Sequence, residues 1–214
     1  MTIEIRYRWL LLLISLVVLV MLRDYPWIMA GYVAFILSLA LAYTVLVPRR
    51  LVSRETLFRR EALRLLAQGD TSAVRELTAK QWLLRNFGRA DLVHEILALA
   101  ATASEEHELA CIEYRRAMGF APPKDRARLQ LNLAAEELKS GQLANAEARY
   151  RAAMNKPQHA QLARTGLART LLARGAANEE AVDLFRHLVA HCGPGERAAL
   201  EANLAEAERR LAST

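Results

Sequence analysis

Residues 131–157 read LNLAAEELKSGQLANAEARYRAAMNKP. Apolar residues recur in this segment at spacings of three and four, which is the period of an amphipathic α-helix. Gly141 interrupts the pattern and Pro157 ends it, because glycine permits a tight turn and proline cannot continue a helix. The segment therefore predicts two helices joined by a turn at Gly141.

The same pattern recurs on both sides of this segment. Ala134 has counterparts at intervals of 36, 36 and 34 residues, namely Ala62, Ala98 and Ala168. The turn position holds Gly69, Glu105, Gly141 and Gly175. Three of the second helices carry an alanine followed four residues later by an aromatic, in the pairs Ala110 and Tyr114, Ala146 and Tyr150, and Ala181 and Phe185. A proline follows near the end of the same three units: Pro122, Pro157 and Pro194. Small residues at fixed places allow helices to cross closely, so we expect stacked helical hairpins.

The period and the order of these residues resemble the tetratricopeptide repeat. The match is best from Leu133 to Pro157, and the unit ending at Pro122 lacks the turn glycine. Residues 54–87 depart most, because Glu61, Thr78 and Gln81 replace a leucine, an aromatic and a small residue. Residues 196–211 are predicted to form a capping helix with a polar outer face.

The resemblance implies a right-handed superhelix whose concave face, lined by first helices, binds a protein partner. It implies no catalytic residue. The groove positions in this frame are Arg59, Leu63, Glu95, Leu99, Arg128, Leu131, Asn132, Ala135, Arg169 and Leu172. Arg128 and Asn132 only approximate the lysine and asparagine pair with which one subset of the family holds a carboxylate, so no such clamp is predicted.

Two apolar runs precede the repeats. The first, residues 9–22, extends to about 7–22 if Arg6, Arg8 and Arg23 reach the lipid head groups, and the second, residues 27–47, has no charged residue. The four residues between them predict an antiparallel transmembrane hairpin. Arginines outside the two runs predict that both termini face the cytoplasm. A cleaved signal peptide is the alternative, but Arg23-Asp24-Tyr25 stands where small residues would mark a cleavage site.

Small residues recur at every fourth position of the second run, at Ala30, Ala34, Ser38 and Ala42. Such a face lets another helix approach closely. Its partner is either the first run of the same chain, which the short link favours, or another membrane protein or a second copy.

A basic segment follows the second run. Its arginines include Arg49, Arg50, Arg54, Arg59 and Arg60, and they supply most of the net charge of +6. We expect them to contact anionic lipid at the cytoplasmic surface. Nucleic-acid binding is not predicted, because the charge is used at the membrane and no aromatic platform or known motif accompanies it.

Three residues near position 190 could ligate zinc: His187 and His191 share a helix face, and Cys192 follows. A fourth ligand is missing, so partial burial and the helix dipole explain them better. Cys111 is expected to be a small buried residue. Residues 105–108 are predicted to form a solvated first helical turn capped by Ser104, and Glu136, Glu137, Glu179 and Glu180 to lie on solvated faces. Trp82 and Phe87 are expected in a core, an exposed anchor being the alternative.

These features predict an all-α chain with a transmembrane hairpin in residues 1–48, a basic segment and a degenerate helical hairpin in 49–89, and tetratricopeptide-like repeats with a capping helix in 90–212. The array would hold three to four hairpins. The layout resembles HemY-type proteins of the bacterial inner membrane.

The predicted function is a scaffold that recruits a protein partner to the cytoplasmic face of that membrane, without a cofactor, a metal or catalysis. A homo-oligomer is compatible with it. One alternative is a structural subunit assembled through its membrane hairpin, and another is an envelope metalloprotein or enzyme.

Overall fold

The computed structural model describes residues 25–175 and 179–213. All regular structure in these ranges is helical, and they contain no strand, so the predicted all-α class is confirmed. The chain divides into two compact units, residues 1–53 and residues 54–214.

The longest helix, α1, comprises Pro26–Ala67. It contains the predicted second apolar run and continues through Pro48 without ending at Val47. The predicted first run, 7–22, lies outside the described residues. Among the helices that the structure describes, none is long and apolar enough to be identified as a membrane span. The predicted transmembrane hairpin therefore gains no support from the structure.

Shorter helices follow α1. They are α2 (Thr71–Ala79), α3 (Trp82–Phe87), α4 (Ala90–Ala103), α5 (His107–Phe120), α6 (Pro123–Lys139), α7 (Leu143–Met154), α8 (Ala160–Ala173), α9 (Glu179–His191) and α10 (Pro194–Ala212). A 3-10 turn, Pro157–His159, precedes α8. The predicted turn glycines and the prolines of the repeat lie at helix ends. The six-residue helix α3 was not predicted, and it separates the first hairpin from α4.

The turns between first and second helices share one backbone conformation. Gly69, Gly141 and Gly175 have φ of 76°, 80° and 73°, and Glu105 has φ of 59°. The amide of the next residue donates to a carbonyl five residues earlier, from Asp70 to Leu65 at 3.0 Å and from Gln142 to Glu137 at 2.8 Å. Glu106 donates likewise to Ala101 at 2.9 Å. This is the Schellman ending of a helix, and it recurs at the predicted interval.

The alanines and aromatics that recur in the repeat are buried. The four alanines at the first-helix position, Ala62, Ala98, Ala134 and Ala168, are completely buried. The aromatics Tyr114, Tyr150 and Phe185 are also buried. Tyr150 packs with Ala134 and Ala146 of its own hairpin and with Leu167 of α8. Tyr114 belongs to a cluster that joins Ala98 to Leu133 of α6 in the same way. Neighbouring helices therefore pack in sequence order through small residues and one aromatic per hairpin.

The last helix covers the end of the array. Leu200 and Ala207 of α10 pack with Ala168 and Phe185. The Arg210 guanidinium also donates to the Leu172 carbonyl at 2.8 Å, which satisfies a backbone group at the end of α8. This position agrees with the predicted capping helix, whose exposed residues include Glu196, Arg197, Glu201, Glu208 and Arg209.

Candidate functional site

The predicted groove residues differ in their exposure. Those exposed are Arg59, Leu63 and Arg169, and those half-buried are Leu99, Arg128, Asn132, Ala135 and Leu172. Leu131 is only 3% exposed and belongs to the core around Tyr150. Glu95 is also buried. The residues with side chains available to a partner are thus mainly at α1 and α8.

Arg128 and Glu95 form a bidentate pair between α6 and α4. Nη2 of Arg128 donates to Oε2 of Glu95 at 2.9 Å, and Nη1 donates to Oε1. Hydrogen bonding to Glu95 raises the pKa of Arg128 above its ordinary value. Because both Nη atoms of Arg128 already donate to a carboxylate of the same chain, a ligand carboxylate would compete with Glu95 for a bidentate contact there.

The exposed apolar surface of α1 is large. Trp27 is 89% exposed and Leu37 is 64% exposed, and Ile28, Phe35, Ile36 and Leu41 are exposed as well. Of the predicted small-residue face, Ala30, Ala34 and Ser38 are exposed, and Ala42 lies in the same helix. The Ser38 hydroxyl donates to the Phe35 carbonyl at 2.8 Å, so its polar group is satisfied within the helix.

The predicted lipid-facing arginines all lie on α1. Arg54, Arg59 and Arg60 are exposed, and Arg49 and Arg50 precede them in the helix. Two carboxylates are interspersed: Glu61 pairs with Arg64 at 2.6 Å, and Glu55 lies 3.5 Å from Arg89. The two carboxylates have Arg64 and Arg89 as partners, so Arg54, Arg59 and Arg60 still give this segment a basic surface.

The histidines near position 190 stack on each other. The ring centroids of His187 and His191 lie 4.4 Å apart, and Nδ1 of His191 lies 2.8 Å from the His187 carbonyl. The half-buried Cys192 thiol donates to the Val189 carbonyl at 3.3 Å. In the described residues no three histidine, cysteine or acidic side chains are grouped as a metal site would require. The arrangement is that of a helix end with local hydrogen bonds.

Cys111 is buried, as predicted. Burial raises the pKa of its thiol, so the thiolate is disfavoured. Glu179 and Glu180 are exposed, also as predicted.

Three predictions about polar and aromatic residues are wrong. Ser104 does not cap the next helix, because it ends α4, and Glu105 occupies the turn before α5. Glu136 and Glu137 are buried and not solvated. Trp82, expected in a core, is 61% exposed, since Leu84 fills the buried position of the short helix α3.

Glu137 is held by two arginines from other helices. Nη2 of Arg115 lies 3.0 Å from Oε1, and Nε of Arg149 lies 2.7 Å from Oε2. The carboxylate is fully buried, and charge-assisted hydrogen bonds compensate its desolvation. The repeat itself carried a signal of this site, because the equivalent positions hold Leu65, Ala101 and Leu171. An acidic residue at a position where the other repeats hold an apolar residue indicates that a basic side chain lies close enough to pair with it.

Other buried acids also link neighbouring helices. Glu136 lies 2.8 Å from Nδ1 of His107, and Glu113 lies 2.7 Å from Nδ1 of His94. Glu147 accepts hydrogen bonds from Arg151 and Arg174. These contacts join α4 to α5, α5 to α6 and α7 to the residue that ends α8, so they act in packing. They form no convergent set of groups around a reacting atom.

Two shallow recesses lie beside the helix starts. One, of about 450 Å³, is lined by residues 105–109 and Ser140. The other, of about 500 Å³, is lined by Arg164, Glu179, Glu180, Asp183, Leu184 and His187. Both are open to solvent, and three of the six residues that line each are acidic, so neither is the enclosed, mainly apolar cleft of a typical small-molecule site.

Comparison with models of protein families gives no match for this chain, and comparison with curated proteins gives none either. The helical-repeat description therefore depends on internal features. These are the recurring Schellman turns and the equivalent buried alanines and aromatics.

Proposed function

We propose that the chain is a membrane-tethered scaffold whose helical-repeat region recruits another protein to the bilayer surface. One observation carries the proposal: the first part of α1 exposes large apolar side chains, with Trp27 at 89% and Leu37 at 64%. Exposed apolar surface of this extent in a soluble chain indicates contact with a membrane or a protein.

The apolar residues surround the helix. At about 100° per residue, Val33, Phe35, Ile36 and Leu37 point to different sides. A helix that is apolar all round requires cover on every side, which lipid provides. Residues 27–47 contain no charged residue. At 1.5 Å per residue they extend about 31 Å, close to the hydrocarbon thickness of a bilayer.

The basic residues that follow support the same location. Arg54, Arg59 and Arg60 are exposed on α1. Each basic residue near an anionic leaflet contributes about 1 kcal/mol of attraction. We infer that anionic lipid binds this segment and that the surface involved is cytoplasmic, because basic flanks stay on that side.

The repeat region supplies the binding surface in this proposal. Its recurring turns and buried positions support a tetratricopeptide-like array, a class that binds proteins through first helices. Tethering confines the scaffold and a membrane-bound partner to one surface, which raises their effective concentration. The function requires no reaction by the chain itself.

A charge placed in the apolar part of α1 tests the membrane tether. In the variant Ile36→Arg/Leu37→Arg, each charge should oppose insertion by about 2.5 to 3.5 kcal/mol, which should move the protein from the carbonate-resistant membrane fraction to the soluble or aggregated fraction. Val52→Arg is the control, because it adds the same charge to an exposed position of the same helix within the basic segment. Wild-type protein recovered as a soluble monomer would refute the tether.

The orientation has its own test. A reporter that works only in the cytoplasm should be active when it is fused after Thr214, because the arginines that flank the two predicted runs place that end of the chain in the cytoplasm. Activity of a reporter that works only after export would overturn the proposed orientation and would leave the proposed tether intact.

A second candidate function is a structural subunit of an integral membrane complex. It is favoured by the exposure of Ala30, Ala34 and Ser38 at four-residue spacing, since small faces suit close helix packing in lipid. Co-purification with residues 54–214, which form a compact unit, distinguishes the two. Retained partners support the scaffold, and partners lost together with residues 1–53 support the subunit.

A further inference from the structure

We propose that the outer face of α5 pairs with the same face of a second copy of the chain, with the two helices antiparallel. This face carries Leu109, Ile112 and Phe120, which are large apolar residues exposed at 38%, 43% and 63%. The proposal concerns self-association through the repeat region, so it stands whether or not the tether does.

The other hairpins provide an internal comparison. At the positions equivalent to Leu109, Ile112 and Phe120, α7 has Asn145, Ala148 and Lys156, and α9 has Glu180, Asp183 and His191. All six of these are exposed, as their counterparts in α5 are. The fold thus presents this position to solvent in each hairpin, and only α5 of these three helices fills it with large apolar side chains. Folding alone does not require them.

The face has the spacing of a helix-pairing seam. Residues 109, 112, 116 and 120 are separated by three, four and four residues, so they share one side of α5. Phe120 extends the face by one further turn. Its ring stacks on His94 with centroids 5.8 Å apart, which holds the ring in place while most of it remains exposed.

Charge fixes the direction of pairing. Glu108 lies before Ile112 and Arg116 lies after it, at equal distance along the helix. An antiparallel pair centred on Ile112 sets Glu108 opposite Arg116 of the second copy, and the two-fold axis repeats this contact. A parallel pair would set like charges together. Antiparallel helices also oppose their dipoles favourably.

Both charged groups can make the contact. Arg116 uses Nη1 to bind Oε1 of Glu113 at 2.6 Å, and its side chain remains 59% exposed. A guanidinium has five N–H donors, so donors remain for a second carboxylate. Glu108 is exposed in the first turn of α5. A second copy therefore satisfies both the apolar residues and their charged neighbours.

Cysteine crosslinking of the full chain in intact expressing cells tests the pairing, because it does not depend on where in the cell the chain lies. In a Cys192→Ser background, Ile112→Cys should give a disulfide-linked product of twice the chain mass under mild oxidation, because the two-fold axis brings the two thiols together. Cys111 is 1% exposed and remains as an unreactive background. Ala148→Cys is the matched control at the equivalent exposed position of α7. Equal dimer from both variants, or none from Ile112→Cys, would overturn the proposal, as would a crosslink to a different protein only.

A charge exchange tests the direction. With the Ile112→Cys reporter, Glu108→Arg and Arg116→Glu should each lower the dimer yield by about tenfold, since like charges then face each other. The double variant should restore the yield, which a merely structural effect of either substitution would not do. Yields that stay low in the double variant would contradict antiparallel pairing.

Discussion

The hairpins α4–α5 and α6–α7 have the same backbone plan and different polar chemistry. Both bury an alanine at the helix crossing, Ala98 or Ala134, and an aromatic, Tyr114 or Tyr150. They differ at the turn, which holds Glu105 in one and Gly141 in the other. They also differ three residues beyond the crossing alanine, where Ala101 corresponds to the buried Glu137.

This difference separates the residues that specify the repeat from those that are free to vary. Small and aromatic residues at fixed places set the distance between helices. A charge is tolerated in the same core where neighbouring helices supply partners, as Arg115 and Arg149 do for Glu137. Around Ala101 the positions equivalent to those arginines hold Ala79, at the end of α2, and Glu113, in α5. The two hairpins should therefore respond differently to the same substitution.

Transferring the buried acid to the hairpin α4–α5 should have the largest effect. Ala101→Glu places a carboxylate at a buried position without the two arginines, which should cost about 3 to 5 kcal/mol of unfolding free energy. The loss should shrink as the pH falls, because a protonated acid is neutral and desolvation raises its pKa. Denaturant unfolding at two pH values measures it. Ala103→Glu, at an exposed position of the same helix, is the control, and equal losses in both variants would contradict the comparison.

A smaller loss is expected where Tyr150 meets α8. A Cβ on Gly166 would overlap Cε1 and Cζ of Tyr150 and would lie 2.7 Å from Cδ1. Gly166→Ala should therefore cost about 1 to 3 kcal/mol through overpacking, although alanine is the better helix former. The equivalent residue beside the hairpin α4–α5 is Asn132, so the close fit is particular to the hairpin α6–α7.

Gly119→Ala is the matched control for this prediction. Gly119 lies in α5, and a Cβ there would meet nothing within 4 Å. Thermal unfolding should show a gain of up to about 1 kcal/mol for Gly119→Ala, against the loss for Gly166→Ala. A gain in both variants would mean that Tyr150 does not pack against Gly166.

The smallest effect concerns the turns. Glu105 has φ of 59°, a left-handed conformation that costs a residue with a Cβ about 1 to 2 kcal/mol. Glu105→Gly should stabilise the protein by about 1 kcal/mol after the entropy of glycine is subtracted. Glu105→Ala removes the carboxylate and keeps the Cβ, so it should give no such gain. Calorimetric unfolding of the two variants side by side decides whether the backbone or the charge matters.

Much of the fold could be predicted from residues that act locally. Gly69, Gly141 and Gly175 mark turns because their left-handed conformation suits glycine, and the recurring alanines mark helix crossings. Spacing alone places Glu105 at the second of the four turns, although its residue type suggests no turn. A repeat can thus be located even where one of its signals is missing.

The burial of charged residues could not be predicted in this way. Glu137 is buried because Arg115 and Arg149, which belong to other helices, reach it, and no local pattern states which arginine meets which acid. The candidate groove shows the same limit, since Arg128 looks free in sequence and is bound to Glu95 in the fold. Trp82 is exposed because the unpredicted helix α3 buries Leu84 instead.

The central claim is that the apolar part of α1 lies in lipid. It is tested most directly by a fluorophore attached to Leu37→Cys in the Cys192→Ser chain, reconstituted in vesicles that contain lipids with brominated acyl chains. Leu162→Cys, exposed on α8, is the control. The label at residue 37 should be quenched by the brominated lipid and protected from aqueous iodide, and the label at residue 162 should behave in the opposite way. Equal quenching of both labels by iodide would contradict the claim.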